Sequence, residues 1–288
     1  LKEIEIPNSV TEIGEGAFSN CTGLKEIEIP NSVTEIGEGA FQACTGLTKV
    51  VILDGVTSIC NSMFAECTGL ESIVIPDSVT SIGDEAFNGC TGLTSIVIPE
   101  SVISIDGSAF AGCTGLESIV VEEGNPVYHS AGNCLIVTQS KTLLLGCKNS
   151  IIPDDGSVTS IGGGAFYGCT GLTSIKIPNG VTSIGTGAFS GCTALTSIVI
   201  PDSVTSIGLS AFYGCSGLES IVIPDSVTSI GWRAFQGCTA LKSVVFEHPE
   251  GWRDSLGNEI SSEDLSDPAV AASLLAGEHA YYGRWERL

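Results

Sequence analysis

Residues Leu70 to Gly92 read LESIVIPDSVTSIGDEAFNGCTG, and the chain is mostly this unit repeated. Its first leucine recurs as Leu1, Leu24, Leu47, Leu70, Leu93 and Leu116, then as Leu172, Leu195, Leu218 and Leu241. Every gap is 23 residues except the one from Leu116 to Leu172. A constant period of this size marks stacked supersecondary units, a solenoid.

Within the unit, Ile73 and Ile75 are two residues apart and share one face of a short strand, while Val74 faces the other way. Pro76-Asp77-Ser78 ends the strand, because proline lacks the N–H and aspartate bonds its own local backbone. Val79 and Ile82 mark a second short extended stretch, and Gly83 permits a bend. Residues 84 to 90 predict one helical or 3₁₀ turn with Ala86, Phe87 and Cys90 on one side. About eight side chains per unit then point inward. One coil cannot bury them, but stacked coils spaced ~4.8 Å apart can, so about ten coils would extend roughly 50 Å. Nine of the ten phenylalanines, Phe18 through Phe110 and Phe166 through Phe235, share one column of the repeat. Such a column is a core spine.

The expected fold is a repeat solenoid of 23-residue units, mostly β with short helical or 3₁₀ turns, closed by a C-terminal cap. Its parts are repeats over 1–115, an irregular coil with a hairpin insertion over 116–171, repeats over 172–245 and a cap over 246–288. The sequence from Leu116 to Leu172 exceeds one unit by 33 residues. There NPVYHSAGN reads as turn-rich, and CLIVTQSKTLLLGC as two apolar strands around Thr138 to Lys141. In the cap, Asp267-Pro268 is a helix start and Gly277 a stop for AVAASLLA. Trp252, Tyr281, Tyr282 and Trp285 would cover the exposed end of the stack, or alternatively form a carbohydrate platform. No cap precedes the first coil, so its core residues are expected to be open. The chain begins at Leu1, inside a repeat and without methionine, and reads as a piece that lacks the signal and anchor segments of a longer protein.

Thirty-three acidic residues stand against eleven basic ones, for a formal charge of −22. This balance repels phosphate and argues against a nucleic-acid partner. No apolar run is long enough for a membrane span. Nine of the twelve cysteines form a repeat column, Cys21 through Cys113 and Cys169 through Cys238. Stacked thiols have parallel Cβ vectors, whereas a disulfide needs converging ones, so buried free thiols are expected. Cys134 and Cys147 are the one pair worth testing for a bridge. There is no CxxC pair and no calcium loop, and no metal or cofactor is expected. The three histidines, His129, His248 and His279, make no Ser/His/Asp or Cys/His arrangement; His129 near Cys134 would be the sole nucleophile candidate. The chain is therefore read as a non-enzyme.

The unit LxSIxIPxSVTSIGxxAFxGCTG resembles the BspA-like leucine-rich repeat, also called the Treponema pallidum type. The resemblance covers residues 1 to 240, and NPVYHSAGNCLI and LSDPAVAASLL are similar to other features of that family. Departures are confined to single turns: Leu53 stands for the usual proline, Cys60 and Asp106 for the glycine, and Met63 for the alanine. The resemblance implies a right-handed, curved parallel-sheet solenoid on secreted or surface-attached bacterial proteins. It also implies adhesion to host matrix or other cell-surface proteins, with no catalytic motif.

The outward strand positions are the candidate binding residues. One column is Val51, Val74, Val97, Val120, Lys176, Val199, Val222 and Val245, preceded by Glu5 and Glu28. The column two residues earlier includes Ser72, Ser95, Ser174 and Ser197, with Glu3, Glu26 and Lys49 at its start. A row of exposed valines has the character of an interaction patch, although valine also suits a strand for its own sake. Lys176 interrupts the stripe and is the expected specificity point. Glu3 on Glu26, Glu5 on Glu28 and Glu12 on Glu35 would stack like charges, relieved by solvent screening or by a bound cation. A threonine column, Thr11 through Thr228, suggests an ice-binding grid only weakly. The leading reading is a protein-binding or adhesion module, and the alternative is a structural spacer of a larger surface protein.

Overall fold

The computed structural model describes residues 1–277 and 283–287. The chain divides into two compact units, Leu1–Gln139 and Ser140–Leu288. Each is a stack of parallel two-strand coils.

In the first unit the longer strands Glu26–Ile29, Lys49–Ile52 and Ser72–Val74 form one parallel ladder, and Ser95–Ile98 pairs with Ser118–Val121 in another. The register follows the repeat, with Ile96 against Ile119 and Val97 against Val120, each 23 residues apart. The shorter strands Ser58–Ile59, Ser81–Ile82 and Ser104–Ile105 stack as a second ladder. Alternation is complete in Ser95–Ile98, where the two isoleucines are buried and Ser95 and Val97 exposed.

The third side of each coil refines the expected helical turn. Around Phe87, Ala86 N–H and Asn88 N–H donate to carbonyls three residues back, as in a 3₁₀ turn. Phe87 N–H and Gly89 N–H instead donate to Ala109 and Ala111 of the next coil, at 2.8 Å. Half the donors thus serve the stack, so no continuous helix can form. The alternation needs left-handed backbone, which Gly89 supplies at φ 69 and Glu85 at φ 54.

The phenylalanines stack face to face with centroids 5.2–5.6 Å apart from Phe18 to Phe110 in the first unit, and 5.1–5.3 Å from Phe166 to Phe235 in the second. Each fully buried ring contributes ~2–3 kcal/mol by burial alone. Beside it, the cysteine thiol donates to the carbonyl of the phenylalanine one coil back. Cys67 reaches Phe41 and Cys90 reaches Phe64, both at 3.1 Å. None of the twelve cysteines is joined in a disulfide, so no bridge links Cys134 to Cys147.

Coil one departs from the repeat. Residues 1–10 form no ladder strand. Leu1 is exposed, and Ile4, Ile6, Val10, Ile13 and Phe18 line an open apolar depression.

The first unit ends in a hairpin that sequence reading did not anticipate. Tyr128–Ala131 pairs antiparallel with Cys134–Val137 across Gly132-Asn133, both at φ 57. This two-residue turn with positive φ at both positions is of the type that matches strand twist. The stretch taken as turn-rich therefore contains a strand. The two apolar strands expected around Thr138 to Lys141 do form, as Cys134–Val137 in the first unit and Thr142–Leu145 in the second.

In the second unit Ser174–Lys176, Ser197–Val199, Ser220–Ile223 and Ser243–Phe246 form the long-strand ladder. Thr142–Leu145, Ser160–Ile161, Ser183–Ile184, Ser206–Ile207 and Ser229–Ile230 form the short-strand ladder. The latter is closed by Trp285–Arg287, which runs antiparallel to Ser229–Ile230 and to Trp252–Arg253. Reversed direction ends the repeat, because the antiparallel strand offers no edge in register for another coil. Helices α1, Ser262–Ser266, and α2, Pro268–Ala276, pack on the last long strand. Asp267 caps α2 as expected, its carboxylate accepting from Ala269 N–H and Val270 N–H. Trp252 is fully buried edge-on to Phe246 at 5.3 Å, and Trp285 stacks near the same ring at 6.4 Å.

Candidate functional site

The outward face of the long strands is built by alternation alone. In the first unit Val74 is 61%, Val97 46% and Val120 43% exposed, whereas Val51 is half-buried. Ser72 and Ser95 stand exposed beside them, and the inward isoleucines hold the register. Val97 lies directly against Val120 in its ladder, and Val51 against Val74. The result is two pairs of neighbouring β-branched side chains, of which Val74, Val97 and Val120 keep apolar surface that the chain itself does not cover.

In the second unit Val199 is the most open of the stripe at 74%, followed by Val222 and Val245. Ser174 and Ser197 are exposed and paired in register. Lys176 sits against Val199 and reaches Asp154 at 2.8 Å. Both side chains of that ion pair are largely in solvent, so it positions the ammonium but contributes little to stability. At the far end of the ladder Asp225 is drawn into a local network, accepting from Arg287 at 2.8 Å and lying 3.4 Å from His248.

Other residues singled out in the sequence have different work. Nδ1 of His129 is hydrogen-bonded to Thr138 Oγ1 at 2.9 Å, not to Cys134. The thiol of Cys134 is buried and donates to Gly132 O. Burial pushes Cys60 and Cys169 up to about 11 and Cys90 to about 12, and Cys113 well above the ordinary thiol value. Such thiols are poor nucleophiles. The threonine hydroxyls point along the stack: Thr80 donates to Thr57 O and Thr182 to Thr159 O, both at 3.2 Å. Their donors are committed to the ladder, which leaves no free hydroxyl grid for ice. Trp252 and Trp285 are both buried around Phe246, which withdraws them from a carbohydrate platform. His279, Tyr281 and Tyr282 lie outside the described residues.

Of the three acid pairs, Glu12 and Glu35 stack in register. Glu26 instead has Lys49 as its ladder partner, an opposite charge. Glu3 and Glu5 belong to the irregular first coil. Among the described residues no group of His, Cys, Asp or Glu has the arrangement of a metal site, and no helix is long and apolar enough to cross a membrane.

Sequence reasoning passed over Asn125 and Tyr128, which terminate the first stack. The Asn125 amide donates to Pro99 O at 2.8 Å and Val102 O at 2.9 Å, while its Oδ1 accepts from Val127 N–H and Tyr128 N–H. Tyr128 Oη accepts from Ile105 N–H at 2.8 Å, the donor that a further coil would have taken. Burial raises the Tyr128 phenol above its ordinary value. The available signal was Asn-Pro placed where the next coil's turn was due.

A family profile described as BspA type leucine rich repeat region matches residues 1–126 and 144–250 in six copies. No curated protein matched the chain. Among solved structures, a leucine rich cell surface protein from Faecalibacterium prausnitzii A2-165 is similar at 33% identity with a TM-score of 0.62, covering 84% of this chain and 78% of its own. A leucine-rich repeat protein from Bacteroides ovatus ATCC 8483 is similar at 34% identity with a TM-score of 0.58, over 82% of this chain and 59% of its own. The pneumococcal vaccine antigen PcpA is similar at 25% identity with a TM-score of 0.62, over 84% and 55%. The chain thus spans little more than half of the latter two.

Proposed function

This chain belongs to the BspA-type leucine-rich-repeat family, and we propose that it is a protein-binding, adhesive module at a bacterial cell surface, with the outward strand face as its contact. The observation that carries this reading is the open valine stripe, with Val74 and Val199 more than half exposed and each flanked by isoleucines that are buried or half-buried. Stacked coils satisfy their backbone bonds internally, so the face offers side chains rather than a sheet edge, and specificity rests on which side chains stand in the stripe. Similarity to a cell-surface protein of a Faecalibacterium supports the location. Host matrix proteins and other surface proteins are the proposed partners, and Lys176 is the proposed point at which the second unit's stripe discriminates among them.

The test compares the chain with a variant carrying Val74→Lys, Val97→Lys, Val199→Lys and Val222→Lys, on immobilised extracellular-matrix proteins and on whole cells. Loss of binding in the variant, with an unchanged thermal melt, is the expected result. Equal binding would refute the strand face as the contact. Absence of binding by both chains would favour a spacer that holds other parts of a surface protein apart.

A further inference from the structure

We infer that the strand face of the first unit docks a basic amphipathic segment of a partner protein, its apolar side chains on the valine stripe and its Lys or Arg side chains on a carboxylate rim beside that stripe. This rests on the protein-binding reading above and narrows it to one chemistry.

The rim is set by the repeat. Three residues after each outward valine the chain places a carboxylate: Asp54 after Val51, Asp77 after Val74, Glu100 after Val97 and Glu123 after Val120. All four are exposed, and none has a cationic partner among the described residues. Between Lys49 and Lys141 the sequence holds eleven acidic residues and no lysine or arginine, so the chain supplies no cation of its own there. The second unit differs. Its corresponding positions are Asn179, Asp202, Asp225 and His248, and Asp225 is already met by Arg287. In the second unit Asp202 is the single carboxylate of the row without a cationic partner among the described residues, so the continuous row of uncompensated carboxylates is that of the first unit.

At the turns that follow the long strands, Asp77, Glu100, Ser101, Ile103, Glu122 and Pro126 line an open groove of about 530 Å³. Ile103 is 55% exposed within it. Glu122 accepts from Glu100 N–H, and a Cβ on Gly124, at φ +99, would come within 2.9 Å of the Glu100 carboxylate. An apolar floor between carboxylates suits a long cationic side chain, whose methylenes cover apolar surface while its head meets the charge. A nucleic acid or an anionic membrane meets repulsion here. A second copy of this chain would set rim against rim.

The probe is a leucine–lysine amphipathic peptide, with its leucine–glutamate counterpart as control, measured by biolayer interferometry at physiological salt on the full chain. Three variants are compared. The rim variant carries Asp77→Asn, Glu100→Gln and Glu123→Gln. The stripe variant carries Val74→Ser, Val97→Ser and Val120→Ser. The charge control carries Glu12→Gln, Glu35→Gln and Glu66→Gln. The rim and stripe variants are expected to lose about tenfold in affinity, and the control less than about twofold. Equal losses in the rim and control variants would reduce the effect to net charge and overturn the inference. So would binding of the glutamate peptide, or no binding by the native chain. A dimer abolished by the stripe variant, without peptide binding, would assign the face to a second copy and also overturn it. Running the rim variant on matrix proteins and cells separates the two readings. If the valine-to-lysine variant loses binding there and the rim variant does not, the binding face stands and the basic partner falls. If the valine-to-lysine variant binds as the native chain does, the face itself fails.

Discussion

Replacing Asn125 tests how a stack of identical coils is brought to a stop. Its amide group makes four hydrogen bonds, donating to Pro99 O and Val102 O and accepting from Val127 N–H and Tyr128 N–H. At ~1 kcal/mol net for each, Asn125→Ala should cost about 4 kcal/mol. Asn125→Asp is the sharper substitution. It keeps the two accepted bonds but sets a carboxylate oxygen against two carbonyls, where an N–H₂ stood at 2.8 and 2.9 Å. Two bonds are lost and two carbonyls left facing negative charge, for a cost of about 3 kcal/mol at neutral pH. Repulsion by the carbonyls favours the protonated acid, so this carboxyl titrates higher folded than unfolded. The folded state then holds more protons, and stability is lost as pH rises from the unfolded value near ~4 through the higher folded one. Below that value the Asp variant should recover part of its deficit, because a carboxylic O–H can donate to one carbonyl, whereas the Ala variant should not. Urea unfolding from acidic to neutral pH gives the free energies, and hydrogen exchange over residues 99–106 and 125–131 shows whether the loss is local, as nearest-neighbour coupling in a stack requires. An Ala variant within ~1 kcal/mol of the native chain, or an Asp variant whose deficit ignores pH, would refute the termination argument.

Two further outcomes follow from the stack. Burial that raises Cys90 to about 12 leaves about one thiolate in 10⁴ at pH 8. Iodoacetamide should therefore label Cys90 in the folded chain only slowly, about tenfold faster per pH unit, and rapid labelling at Cys90 before unfolding would contradict its placement. Gly115→Ala places a Cβ 2.3 Å from Thr91 O, which the backbone of the preceding coil cannot yield cheaply. A loss of about 3 kcal/mol is expected by urea unfolding, whereas Gly107→Ala, with nothing within 4 Å, should be nearly neutral; equal effects would show that coil spacing does not set the glycine requirement.

Much of this was legible from the sequence because a repeat reports its own environment. The 23-residue period determined the coils, and the alternation of serine, isoleucine and valine determined which side chains face out. The proline and phenylalanine columns fixed the register, and Asp267-Pro268 fixed the start of the last helix. These properties need only local geometry and one neighbour of the same kind, and the sequence holds both. Tertiary structure decided what happens where like does not meet like. Phe87 N–H and Gly89 N–H leave their own turn for the next coil, so the single helical or 3₁₀ turn expected from spacing becomes a run of turns bonded across coils. Tyr128 supplies by a side chain the acceptor that a repeat would supply by backbone, which no period predicts. Cys60 fills a glycine position and turns its thiol to Gly37 O at 3.0 Å, and only the stacked neighbour makes that contact. The charge contrast between the two stripes belongs to the same class. The acidic residues are readable one by one, but Asp225 is neutralised by Arg287, 62 residues away and brought there by a strand that reverses direction.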